Sequence, residues 1–295
     1  MSTLETPPVP GAHSGRNPNF TATGGDGSGR LSVSLVRGRS VATEVHSRNP
    51  FRWLVPRGRG KSVWAYASSY GGGLVSGDAV SLQVECGPGS ASFVGSQAST
   101  KVYQAGRAGG VCQNATVNLG ADAFLAWLPE VLQPFDASEY EQRQRFNLAS
   151  SSGLVVLDWF CSGRMARGER WRFARYATRT EIWNGPLLSM VDALRLEEAD
   201  GPALESLQKS NYECFATLVV CGGMLAREAE HVASEVARRP LPRQPEVTVS
   251  AGAIRGGGVL IRCGGVGVEE VRSALAGFLG FLEERLGENP LLRKN

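Results

Sequence analysis

The chain has 295 residues, and 31 Lys and Arg against 28 Asp and Glu give a formal net charge of +3. That length suits one large domain or two ordinary ones, and so small a charge does not by itself argue for a nucleic-acid partner. The 37 glycines exceed the usual share of about 7% and lean toward β-structure with tight corners.

Residues 1–29 are rich in Pro, Gly, Ser, Asn and Thr and carry no apolar run of the secretory type. They read as a disordered tail ahead of one β-rich domain over 30–295. From Leu31 short segments alternate apolar and polar residues: "LSVSLV", then "AVSLQVEC" with Val80, Leu82, Val84 and Cys86 on one side. "NATVNLG" and "LVVLDWF" extend the pattern. Alternation of period two puts one face on a core and one toward water. Turn signals such as "GPGS" and "GRAGG" separate the segments, which predicts an antiparallel, mainly β architecture.

Helical patterns come late. "GGMLAREAEHVASEVARRP" predicts a helix near 223–239, and "VEEVRSALAGFLGFLEERLGE" predicts a stronger one near 268–287, with Val268, Val271, Leu275, Leu279, Leu282 and Leu286 at three-four spacing. Residues 238–258 read as an irregular connection. The longest apolar stretch, 214–226, is too short to span a membrane and is broken by two glycines.

The glycine corner "YGGGLVSGD" (70–78) raises the question of phosphate binding. Gly72 and Gly77 have the spacing of a Walker loop, but Asp78 stands where the lysine belongs, and a carboxylate there repels phosphate. The segment also leads into a strand where such a loop leads into a helix. Tight turning before a strand is the better reading. The six cysteines contain no C-x-x-C pair, which argues against a zinc or dithiol site; the thiols are taken as reduced and the location as cytoplasmic. With only three histidines, His13, His46 and His231, a catalytic triad is not expected. Two rival functions remain at this point. The scattered carboxylates Asp78, Asp136, Asp158 and Glu169 could supply an acid–base pair for a carbohydrate-active enzyme. The basic run 30–61, with Phe51 and Trp53 inside it, could contact nucleic acid, although a solvated sheet face or a protein-binding surface explains it more simply.

Three blocks narrow the choice. "YGGGLVSGDAVSLQVECGPGSASFVGSQASTKVY" (70–103), "LAWLPEVLQPFDASEY" (125–140) and "GRMARGERW" (163–171) resemble, in order and spacing, the signature of the UreD (UreH) family of urease accessory proteins. The resemblance covers residues 30–190 closely and the remainder loosely. It implies a sheet-rich, β-helix-like stack with about two helices in the C-terminal half, and no enzymatic activity. It implies binding of the urease apoprotein together with UreF-like and UreG-like partners, and two copies of the chain within the complex are an option. It implies no tightly bound cofactor, only nickel in transit, since weakly held oxygen donors suit passage better than a thiolate cage. At matching motif positions, Asp78, Asp136 and Glu169, with Ser99 and Thr100, are candidate nickel-path residues. The plainer reading is that Asp78 caps its own turn and Glu169 pairs with an arginine. Lys101, Tyr103, Trp127, Phe135, Arg164 and Arg167 are candidate partner-interface residues. No nucleic-acid or membrane partner is expected.

Overall fold

The computed structural model describes residues 26–57, 60–240, 243 and 245–290; the expected tail therefore lies outside the described residues up to 25, while 26–29 already belong to the first strand. In chain order the elements are β1 (Asp26–Val36), β2 (Arg39–Arg48), β3 (Phe51–Leu54), β4 (Val63–Ser69), β5 (Ala79–Cys86), β6 (Ala91–Ser96), β7 (Thr100–Val102), β8 (Val111–Leu119), β9 (Phe124–Leu128), β10 (Leu132–Pro134), β11 (Glu139–Leu148), β12 (Gly153–Cys161), β13 (Arg175–Asn184) and β14 (Leu187–Glu197). After them come α1 (Pro202–Lys209), β15 (Cys214–Cys221), α2 (Ala226–Arg238), β16 (Val247–Ala253), β17 (Gly258–Gly265), α3 (Val268–Ala276) and α4 (Leu282–Leu286). The architecture is mainly β, as the sequence indicates.

The expected antiparallel pairing is corrected. Two sheets face each other, in the orders β14-β13-β11-β8-β5-β1-β2 and β16-β17-β15-β12-β9-β6-β4-β3. From β1 through β5, β8 and β11 to β13 every pairing in the first sheet is parallel. So is every pairing from β4 through β6 and β9 to β12 in the second. The chain thus winds between the sheets as a coil, and each strand's partner lies one full winding later: Ala79 meets Cys112. Short β7 and β10 stack in parallel at the side of the coil. Among the described residues, antiparallel pairs of named strands lie toward its ends, as β1–β2, β3–β4, β13–β14 and the β12–β15–β17–β16 extension.

Burial explains which segments show the period-two signal. In β5 alternate residues are buried and exposed, because that sheet has one face on the core and one in water. The second sheet is covered on both faces. Leu125, Leu154, Val156 and Phe160 point between the sheets. Phe124, Ala126, Val155, Leu157 and Trp159 pack instead against Val232 and Val236 of α2 and Val271 and Leu275 of α3. "LVVLDWF" therefore does not alternate; it is a doubly buried strand segment. Residues 247–253, read as irregular, form edge strand β16, which is largely exposed and pairs with β17. The helix near 223–239 is α2 with a 3-10 turn ahead of it. The helix near 268–287 is split into α3, a 3-10 turn at Gly277–Leu279 and α4, as two interior glycines favour. Helix α1 has no counterpart in the sequence reading. Among the described residues no helix is long and apolar enough to cross a membrane.

Candidate functional site: a polar passage between the sheets

The glycine corner turns the chain from β4 toward β5. Gly71 and Gly72 hold φ of 79° and 74°, backbone open chiefly to glycine. At extended Gly73 a Cβ would lie 2.5 Å from the Tyr103 ring and 2.8 Å from the Lys101 carbonyl, so the third glycine is required by close approach. Asp78 is buried, and its Oδ2 accepts the Val75 N–H at 2.9 Å; the carboxylate caps the turn, as its plainer reading holds.

Asp136 and Glu169 come together at the surface. The Arg164 Nε donates to Glu169 Oε2 at 2.7 Å, and a second guanidinium nitrogen meets the other oxygen. Glu169 Oε2 also accepts the Asp136 N–H at 3.3 Å, and Asp136 pairs with Arg172 at 3.2 Å. The Arg164 bond holds the Glu169 carboxyl below its usual range. Arg164 lies 4.0 Å over the Phe135 ring, and Phe135 meets Tyr103 edge-on at 5.1 Å. The second and third sequence blocks are thus latched to each other and to the first, with Met165 and Arg167 exposed at the tip of the latch. In the basic run, Arg30 pairs with Glu44 at 3.2 Å, and the run spreads over β1, β2 and β3.

The interior holds a different set of polar groups. The strand register places Gln142 of β11 between Gln113 of β8 and Thr178 of β13, all on the inter-sheet face. One step along, Gln144 stands beside Thr180, which pairs with Asp192 of β14. The facing sheet presents a matching row, Asp158–Thr217–Arg262–Ser250, on β12, β15, β17 and β16. Tyr140 OH donates to Gln142 Oε1 at 2.8 Å, and Gln142 Nε2 donates to Asp158 Oδ2 at 3.3 Å. Thr217 donates to Asp192 at 3.1 Å, and Arg262 is ion-paired with Asp192.

Two cavities flank this row, of about 160 Å³ and 450 Å³, and Asp158 lines both. The first opens beside Ser68, Gln97, Ser99 and Thr100 and includes Trp127. The second opens beside Thr248, Ser250 and Arg262. Ser68 lies on β4 and Ser250 on β16, six strands apart in the sheet order, or about 29 Å at roughly 4.8 Å per strand. The two cavities, which share Asp158, therefore lie one after the other across the strands, along the coil axis. Of the sequence candidates, Ser99, Thr100 and Trp127 line the first cavity; Asp78, Asp136 and Glu169 line neither.

Burial dominates the electrostatics of Asp158. Its carboxyl is walled by protein and exposed only in part, and desolvation, with Asp192 opposing a second charge, pushes it up from 3.8 to about 7; the Gln142 bond pulls the other way. The six cysteines, all described, form no disulfide. Burial pushes Cys86 and Cys221 up to about 12 and Cys263 to about 11, so these stay thiols at neutral pH. Among the described residues no three His, Cys, Asp or Glu gather as a metal centre would require. Sequence reasoning noticed Asp158 only as one scattered acid and missed Gln113, Gln142, Gln144, Thr178, Asp192 and Arg262. The available signals were an acid inside the apolar run "LVVLDWF" and glutamines sharing the parity of buried Tyr140 and Phe146.

Fold and interior together define a class: a parallel two-sheet β coil with two cavities and a row of polar side chains between its sheets, and a latched surface loop. The chain belongs to the UreD family of urease accessory proteins, whose family model, described as UreD urease accessory protein, matches residues 25–294. The chain is 39% identical over 269 residues to the urease accessory protein UreD of Sorangium cellulosum, covering 91% of this chain and 84% of the relative. It is 31% identical over 290 residues to urease accessory protein D of Oryza sativa subsp. indica, covering 89% and 94%. To urease accessory protein D of Arabidopsis thaliana it is 30% identical, covering 89% and 99%.

Proposed function

We propose that the protein is a cytoplasmic scaffold for urease maturation, with no catalytic step of its own. It binds the urease apoprotein and, with UreF-like and UreG-like partners, hands nickel toward the urease metallocentre through the passage between its sheets. One observation carries the reading: two cavities between the sheets share Asp158, the first bordered by Ser68, Ser99 and Thr100 and the second by Ser250 and Arg262. The chemistry of the walls supports it. Amide, hydroxyl and isolated carboxyl oxygens hold a borderline divalent ion weakly, whereas gathered thiolates or imidazoles would retain it. Ser99 and Thr100 stand at the entrance. The carboxylates of Asp78, Asp136 and Glu169 contribute through shape, by fixing the corner and the latch. Lys101, Tyr103, Phe135, Arg164 and Arg167 surround that latch, which offers partners an arginine-rich, aromatic-backed surface of the kind that protein interfaces favour.

A steric block tests the passage. Thr178→Trp places an indole at the second cavity, which Thr178 lines. In cells carrying the urease apoprotein and the accessory partners, the variant is expected to co-purify with its partners as wild type does and to leave urease inactive and poor in nickel. Full activation by a correctly folded, partner-bound variant would overturn the reading.

A further inference from the structure

Among the described residues Asp158 is the one carboxyl that lines both cavities; Glu130 lines only the first and Asp192 only the second. It lines both cavities, so on the proposed conduit whatever moves from one to the other passes it. The ionisable groups around it can be named element by element. β14 brings Asp192 and β17 brings Arg262, and these two are paired. β11 brings Tyr140 and β13 brings Tyr176, whose hydroxyls burial and the nearby Asp158 push well upward, so both stay neutral. Cys263 of β17 is held as a thiol by burial. β8, β9 and β15 present neutral Gln113, Trp127 and Thr217. Glu130, farther along the first cavity, is tied to Arg272 at 2.9 Å. Arg262 and Asp192 cancel, so the sign of the junction is left to Asp158. Protonated, it makes the junction neutral; ionised, it makes it −1.

Resting on the proposed conduit, we infer that Asp158 is the residue that sets the rate of cation passage: a divalent cation crosses the junction many times faster while this carboxyl is ionised than while it carries a proton. The physical reason is the wall. A doubly charged ion leaving water for a protein-lined channel loses hydration, and only a fixed opposite charge at the crossing offsets that loss. A neutral carboxyl beside Gln142 presents dipoles alone. Because burial brings the titration of Asp158 close to neutrality, the passage would be set by ordinary changes in local pH, and an approaching cation would itself favour release of the proton.

The test uses the full chain assembled with urease apoprotein and its accessory partners, supplied with Ni²⁺, and follows the rate of urease activation between about pH 5.5 and 8.5. Each rate is divided by that of Asp158→Asn, an isosteric variant lacking the charge, which removes the pH responses of urease and of the partners. The expected ratio is near one at the acid end, rises with a midpoint near 7 and levels off above it; Asp158→Glu keeps a rise with a displaced midpoint. Infrared spectra of the purified chain should show a protonated carboxyl band, absent from Asp158→Asn, that fades over the same range. A flat ratio, or no such band above about pH 5, overturns the inference. Thr178→Trp separates the two readings. If it blocks activation while Asp158→Asn behaves as wild type, the gate is wrong and the conduit stands. If it activates fully, the conduit fails and the gate with it. Should Asp158→Asn not fold, the midpoint displacement in Asp158→Glu and the infrared band decide.

Discussion

Asp158 is an acid in a strand whose other residues are apolar, and its carboxyl is destabilised as an anion by its surroundings. The sign of the consequence follows. The folded protein holds this proton up to about pH 7, whereas the unfolded chain releases it near 3.8. Between those values the folded state binds more protons, so stability falls as pH rises and stays low above the folded value. The full shift corresponds to roughly 4 kcal/mol, an upper bound. Thermal unfolding should show wild type losing stability between pH 5 and 8 relative to Asp158→Asn, with the variant the more stable at pH 8. Parallel curves would show that the carboxyl is ionised in the fold throughout. Glu169 behaves oppositely: its anion is favoured by Arg164. Its pairing is near the surface, so Glu169→Gln should cost about 1 kcal/mol or less in urea unfolding and leave urease activation close to wild type. A complete loss of activation would give this residue a direct part in maturation.

At the scale of elements, what could be read from sequence depended on how many faces of a strand are buried. β5 has one wet face, and its alternation made Val80, Leu82 and Val84 recognisable at once. β9 and β12 are covered by the coil on one side and by α2 and α3 on the other, so "FLAWL" and "GLVVLDWFC" carry no period. Parallel pairing left no local trace either, because Gln142 finds Gln113 and Thr178 a whole winding away. The polar row was hidden for that reason. Its members are ordinary glutamines and threonines until the register aligns them, whereas the glycine corner and the Arg164–Glu169 latch are short-range and were visible as motifs. The double cover has its own test. Leu275 of α3 is buried against the second sheet, and Leu275→Ala should cost about 2–5 kcal/mol, measured by denaturant midpoint at unchanged slope. A gain in ANS binding with no change in midpoint would mean that the helix is dispensable cover. At the corner, Gly73→Ala should cost about 1–3 kcal/mol, because the added methyl meets the Lys101 backbone carbonyl as well as a movable ring.

For the whole molecule, the coil strings the two cavities along its axis and their openings differ. One opening is bordered by serines, a glutamine and a threonine near β4, β6 and β7; the other by arginine, serine and threonine on β16 and β17. Antiparallel strands finish the coil at both ends, so further windings cannot add in register. Since the cavities lie across the strands, the distance between openings is fixed by the count of windings and not by any loop. Lengthening or trimming surface turns leaves that span untouched, and each winding contributes its own few wall residues, open to change one at a time. Unlike ends on a rod of set length also give the molecule a direction. A neighbour suited to one opening is unsuited to the other, so two different proteins held at opposite ends would have their order of handover imposed by geometry, with no energy source inside the rod itself.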